Sequence, residues 1–187
     1  MSTPDTSYTR TAIGLHWLVA LGIAGTFGLG LYMHELPLSP QKLKLYSWHK
    51  WAGVTLFLLV LVRLGWRHAH RPPALPDAMA GWQRRAAEAT HVLLYLLMLV
   101  VPLSGWLMSS AKGFQTVWFG VLPLPDLVGK DKALGDLLQE VHEVLNFTLA
   151  GLVLAHLGAA LKHHFIDRDA VLARMLPFLS RPATGDK

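Results

Sequence analysis

The sequence predicts an all-α membrane protein whose four helices cross the bilayer up, down, up and down as one transmembrane bundle. Three observations carry that prediction. The 187-residue chain is 52% hydrophobic and only 16% charged, too apolar for an ordinary water-soluble domain. Its charged residues largely avoid four windows, 11–33, 48–66, 90–109 and 141–161. Each window is close to the roughly 20 residues that a helix needs to cross the hydrocarbon, and none is long enough to cross twice.

The first window resembles a secretory signal in position. It is too long for one, carries His16 and Trp17, and lacks a small-residue cleavage site, so it reads as a helix. Gly22, Gly25, Gly28 and Gly30 make that helix slim, which lets a neighbouring backbone or a flat ligand approach closely. Residues 37–40, bounded by prolines, form a short turn to the second window, where Gly53 follows His49 by one turn. Arg71-Pro72-Pro73 and Pro76 break the next connection. In the third window Pro102 is expected to kink the helix, as neighbouring helices permit in a membrane.

The connection 111–139 is the long one. Its part 114–125, with Trp118 and Phe119, is expected to lie at the membrane interface, where aromatic rings are favoured; a plain loop is the alternative. Leu134, Leu137, Leu138, Val141 and Leu145 follow a helical period, so the fourth helix is expected to begin outside the membrane. A basic tail, 162–187, contains Pro177 and Pro182 and is expected to be mobile. The chain shows no internal repeat and reads as one domain, 1–187.

Lys and Arg divide unequally between the two sides. Arg10, Arg67, Arg71, Arg84, Arg85, Lys162, Arg168, Arg174, Arg181 and Lys187 fall on the side of the termini, against Lys42, Lys44, Lys50, Lys112, Lys130 and Lys132 on the other. The positive-inside rule puts both termini in the cytoplasm. The net charge of +5 and pI near 9.7 then reflect topology and contact with anionic lipid; nucleic acid is excluded as a partner because the basic residues flank membrane spans.

Histidines carry the chemistry. Ionisable side chains are costly in hydrocarbon and count there as functional candidates, and imidazole is a standard axial ligand of haem iron. His142 and His156 lie 14 residues apart on the fourth helix, which is about 21 Å of rise and four turns less about 40°, so both imidazoles point the same way. His16 and His156 sit near the cytoplasmic face, His49 and His142 near the outer face. Each level therefore offers two imidazoles from different helices, as six-coordinate haem in a bundle core requires. A lone buried histidine is more often a hydrogen-bonded structural residue, and pairing by level shifts that balance. Depth alone leaves competitors, because His91 opens the third helix at the cytoplasmic level and His34 closes the first at the outer level. The absence of cysteine removes thiolate ligation, iron–sulfur clusters and covalent c-type attachment, so any haem is held non-covalently.

The four-helix plan, the early His16-Trp17, His49 on the second helix and the two histidines 14 apart on the fourth resemble the bacterial cytochrome b561 family, which is similar in turn to the cytochrome b subunits of nickel-iron hydrogenases and formate dehydrogenases. The resemblance covers essentially the whole chain. It implies two haem b, with His16 paired to His156 and His49 to His142 as axial ligands, and His91 next to a ligand or part of a quinone pocket on the cytoplasmic side. It also implies a protein of the bacterial inner membrane that moves electrons between the quinone pool, with ubiquinone as substrate, and a redox partner. Arg10 and Arg63 inside and Lys50 outside are the cations placed to meet haem propionates, with snorkelling to lipid headgroups as the alternative for each. Lys42, Lys44 and Lys50, with Lys112, are expected to give the outer level a positive potential that attracts a small anion. Superoxide is the candidate, against lipid headgroups or an acidic periplasmic redox protein as simpler occupants.

Other chemistries find less support. His68, His70 and His163-His164 could bind metal, but a solvated or headgroup-facing role is the simpler reading. His142-Glu143 is not a zinc-protease motif, since the position for its second histidine holds Asn146. There is no nucleophile with a nearby base and no phosphate-binding glycine loop. Two further classes compete: a haem-containing membrane anchor that docks a catalytic subunit, and a histidine proton-relay transporter, for which four short-linked helices leave little room.

Overall fold

A computed structural model describes residues 7–76 and 79–179. Four long helices form the protein: α1 (Arg10–Glu35), α2 (Pro40–Ala69), α3 (Gly81–Ala111) and α4 (Lys132–Lys162). All four are long and apolar enough to span a membrane. They exceed the apolar windows mainly at their N-termini, because polar caps rather than hydropathy set those ends. Thr9 Oγ1 accepts from the Ala12 amide at 3.2 Å, Ser39 Oγ from Lys42 at 3.2 Å and Asp131 Oδ1 from Leu134 at 3.0 Å. Pro40 occupies the first turn of α2, where its missing N–H costs nothing. α4 begins at Lys132, outside its apolar window, as the leucine period predicts.

Packing follows chain order, α1 on α2, α2 on α3 and α3 on α4, whereas α1 and α4 scarcely touch. The ring of helices is therefore open along one side, and Phe27 on α1 meets Phe147 on α4 edge-to-face at 5.7 Å across that opening. A buried apolar cluster of Val19, Val60, Leu94, Leu97, Met98, Val101 and Leu149 fills mid-bundle. Leu149 stands seven residues from both His142 and His156, so this cluster lies between the two histidine levels. α3 runs through Pro102 as one helix.

We call the end holding the start of α1 and the end of α4 the base, and the opposite end the cap. The cap departs from expectation. Residues 114–125, the segment expected at the interface, are no plain loop but contain an antiparallel hairpin, β1 (Val117–Trp118) with β2 (Leu122–Pro123). Its turn places Phe119 at φ 51° and Gly120 at φ 72°, a left-handed pair that reverses the chain tightly. Three indoles pin the hairpin and its return: Trp51 donates to Val117 O at 2.6 Å, Trp118 to Thr55 Oγ1 at 3.3 Å and Trp106 to Pro125 O at 3.0 Å.

At the base, residues 163–179 of the tail are folded against the bundle. α4 continues into a π-helical turn, His163–Asp167, which Arg168 ends at φ 56°. The chain then folds back: the Trp17 indole donates to Met175 O at 2.8 Å and Arg174 to Ala74 O at 2.6 Å, and Pro177 opens a short 3-10 turn. Arg181, Pro182 and Lys187 lie outside the described residues. A neutral hydrogen bond contributes about 1 kcal/mol net, so Trp17→Phe should raise the population of the open tail about fivefold. Limited trypsin digestion at Arg168 and Arg174 in detergent should accelerate accordingly.

Candidate functional site

Two pairs of imidazoles face one another across the bundle. At the base, His16 of α1 and His156 of α4 have ring centres 6.4 Å apart. At the cap, His49 of α2 and His142 of α4 repeat that separation, 6.4 Å. All four rings are half-buried. The two competitors separate clearly. His34 is exposed beside Glu35 at 3.3 Å and joins neither pair. His91 does reach the base pair, meeting His156 edge-on at 5.2 Å.

Neighbours orient these rings. Ser104 Oγ lies 2.8 Å from Val101 O and 2.9 Å from His142 Nδ1. Its one hydrogen serves the carbonyl, so the hydroxyl accepts from His142 Nδ1–H and the lone pair of that imidazole falls on Nε2. At the base, Arg63 Nη2 donates to His16 Nδ1 at 2.9 Å. His49 Nδ1 is buried without a hydrogen-bond partner. Two glycines give the cap pair its room. A Cβ on Gly105 would stand 3.0 Å from His142 Cε1, and one on Gly30 would stand 3.3 Å from His49 Cε1. Gly22 admits Leu56, whose Cδ2 would lie 2.5 Å from an added Cβ, whereas Gly25, Gly28 and Gly53 face open space.

The cations divide. Arg63 is half-buried in the base, and Arg10 is exposed on the first turn of α1. Lys50 points into the cap, where its ammonium donates to Ser109 Oγ at 3.2 Å, Phe114 O at 3.1 Å and Gln115 O at 3.3 Å, so it is a tie for the loop. The expected ring of free lysines is correspondingly thinner. Lys42 closes the end of α1 through Leu36 O at 2.5 Å, and Lys112 meets Gln139 and, at 3.8 Å, Asp136. Lys132 pairs with the same Asp136 at 2.6 Å, and this hydrogen bond holds the exposed carboxyl below its ordinary pKa. Lys44 remains toward solvent, its Nζ 5.1 Å above the Trp48 ring.

The minor histidines stay apart from both pairs. His70 stacks on Trp66 at 4.0 Å and His68 is exposed. His163 Nδ1 lies 2.6 Å from Asp169 and 3.2 Å from Asp167, which Lys162 also holds at 2.6 Å. Sequence reading missed Ser104 and Gly105. A Ser-Gly step two residues after Pro102 in an apolar run was the available signal.

The arrangement can be tested against the haem that the resemblance implies. Two imidazoles on opposite sides of one metal ion, each bonded at about 2.0 Å with about 1.1 Å from nitrogen to ring centre, have centres about 6.2 Å apart. Both pairs fit. The His91–His156 separation of 5.2 Å is about an ångström too short and suits ring-edge packing. The glycines pressed on His49 and His142 fit a site that admits a flat, close-lying group.

Known proteins agree with this reading of the fold. The family model described as prokaryotic cytochrome b561 matches residues 7–178. "Cytochrome b561 homolog 2" of Escherichia coli K12 is 35% identical over 176 residues, 94% of this chain and 93% of that protein. "Cytochrome b561 homolog 1" of the same organism is 32% identical over 173 residues, 91% and 97% of the two chains. A more distant relative, the "Probable superoxide oxidase CybB" of Yersinia pestis, is 26% identical over 171 residues, 91% and 96%. With the match running from the first described residues to the turn beyond α4, the chain belongs to the prokaryotic cytochrome b561 family, and it is thereby a haem b protein that transfers electrons as a multi-pass component of the inner membrane.

Proposed function

We propose that the protein is a diheme cytochrome b that carries electrons across the inner membrane between ubiquinone and a redox partner outside. The observation that carries this reading is the equal 6.4 Å spacing of two histidine pairs at two depths. His16 and His156 would hold the base haem, His49 and His142 the cap haem. Haem b, when bound, supplies a reversible one-electron carrier at each level.

The chain's residues do the rest. With two imidazoles to hold each haem, the iron would keep no open site for dioxygen. Ser104 fixes the tautomer of His142, and Gly30 and Gly105 let the ligand helices come close. The base is the cytoplasmic end, since it gathers most Lys and Arg, and His91 beside His156 lines that level for quinone. Superoxide is the proposed donor at the cap, an activity that the name of the Yersinia relative carries. The reaction balances. Two superoxide anions each give up one electron and leave as dioxygen, while one ubiquinone takes both electrons and two protons to become the quinol.

Three outcomes test this. A pyridine haemochrome assay on the purified chain should give two b-type haems per polypeptide, low-spin and unreactive with carbon monoxide; one haem, or ready carbon monoxide binding, contradicts the reading. His142→Ala should remove the cap haem and retain at least half of the other, and His156→Ala should do the reverse. A haem lost through His91→Ala but kept in His16→Ala reassigns the base pair.

The third outcome concerns the donor. Of Lys42, Lys44, Lys50 and Lys112, Lys44 is the one with no acceptor among the described residues, so Lys44→Gln should slow haem reduction by superoxide a few-fold at low salt and weaken its ionic-strength dependence. Stopped-flow rates that are slow, insensitive to salt and unchanged in the variant remove superoxide and leave the quinone-linked cytochrome.

A further inference from the structure

The base holds two arginines that meet no carboxylate among the described residues. Arg63 and Arg67 stand one turn apart on α2, and their guanidinium carbons lie 5.4 Å and 5.8 Å from the centre of the same Tyr95 ring. Like charges at this spacing repel, and a guanidinium drawn from water needs a counter-charge. None is supplied. No ion pair among the described residues involves an arginine, and the acidic residue nearest His91 in sequence, Glu88, is exposed.

Arg63 instead donates to His16 Nδ1. This contact conflicts with ligation. A guanidinium can only donate, so it requires a bare Nδ1, whereas an imidazole bound to metal through Nε2 carries its hydrogen on Nδ1 and needs an acceptor there. Ligation through His16 Nε2 would therefore leave Arg63 no acceptor on the ring. The freed group has Tyr95 and Arg67 beside it and must find an oxyanion at the same depth.

We propose that Arg63 and Arg67, steadied on Tyr95, form an anion site that takes a carboxylate of the base haem, with Arg63 exchanging His16 for that carboxylate. The inference rests on the diheme reading and adds to it a second arginine, a tyrosine and an exchange of partners. The chemistry shared by possible occupants is an oxyanion held by a planar fork of donors, which a haem carboxylate or a lipid phosphate could provide. Depth favours the haem. Arg63 is half-buried and in contact with a proposed ligand, while lipid phosphate stays at the interface, where the exposed Arg67 alone would meet it.

The test uses the full chain, stripped and reconstituted either with haem b or with its dimethyl ester, in which both carboxylates are capped. Redox titration followed by absorbance reports the base haem, recognised as the component missing from His156→Ala. With haem b, Arg63→Gln should lower that haem's potential by a tenfold change in the ratio of reduced to oxidised form, about 59 mV for one electron, and leave the cap haem unmoved. The sign follows because a nearby cation favours the reduced, less positive iron. Arg67→Gln should shift it in the same direction by less, and Arg63→Lys should recover at least half, which separates loss of charge from loss of fold. With the dimethyl ester the Arg63→Gln shift should at least halve.

A shift of equal size with haem b and its ester means that Arg63 acts without a carboxylate, and overturns the proposal. So does an unmoved potential accompanied by loss of co-purifying anionic phospholipid in native mass spectrometry, which assigns the site to lipid. If His156→Ala keeps its full haem content, the diheme reading itself has failed, an outcome separate from any behaviour of Arg63.

Discussion

Hydrocarbon cannot solvate an imidazole, and the bundle is organised around that constraint. A membrane helix that carries a histidine inward must give its ring a partner inside the protein. Here each level answers with a second ring at 6.4 Å and a polar contact behind it, Ser104 at the cap and Arg63 at the base. The open seam between α1 and α4 follows from the same demand. Helices that pack ridge into groove leave no room between facing rings, so α4 leans on α3 and leaves α1 to α2.

Much of this plan was legible in the chain, and the limits have physical causes. Hydropathy and the 14-residue step place four spans and two histidine levels, because depth in a bilayer is a property of position along a helix. Which face of α3 meets His142 is different, since it depends on how α3 is rotated against α4; hence Ser104 and Gly105 were invisible. The same holds for His91, whose depth matched the base pair but whose edge-on approach to His156 only packing could reveal. The hairpin escaped because strands of two residues have no period and a phenylalanine at φ 51° has no local signature. The folded-back tail depends on Trp17, 158 residues away from its acceptor.

Lysines show how a charge count can mislead. Six lysines on the cap side read as a positive field, yet Lys50 is spent on Ser109 and two carbonyls of the loop, Lys42 on the end of α1, and Lys112 and Lys132 share one aspartate. A cation that ties backbone together fixes geometry and contributes little steering. Arg63 and Arg67 differ in meeting no carboxylate among the described residues, which makes them the stronger indication of a ligand.

The apolar cluster around Leu149 has a consequence for bioenergetics. Val19, Val60, Leu94, Leu97, Met98, Val101 and Leu149 form an apolar partition across the middle of the bundle, and none of these seven side chains can hydrogen-bond a water. Such a partition opposes the passage of a proton far more than that of an electron. In a carrier with redox centres on either side of it, each transfer is electrogenic and works with or against the membrane voltage.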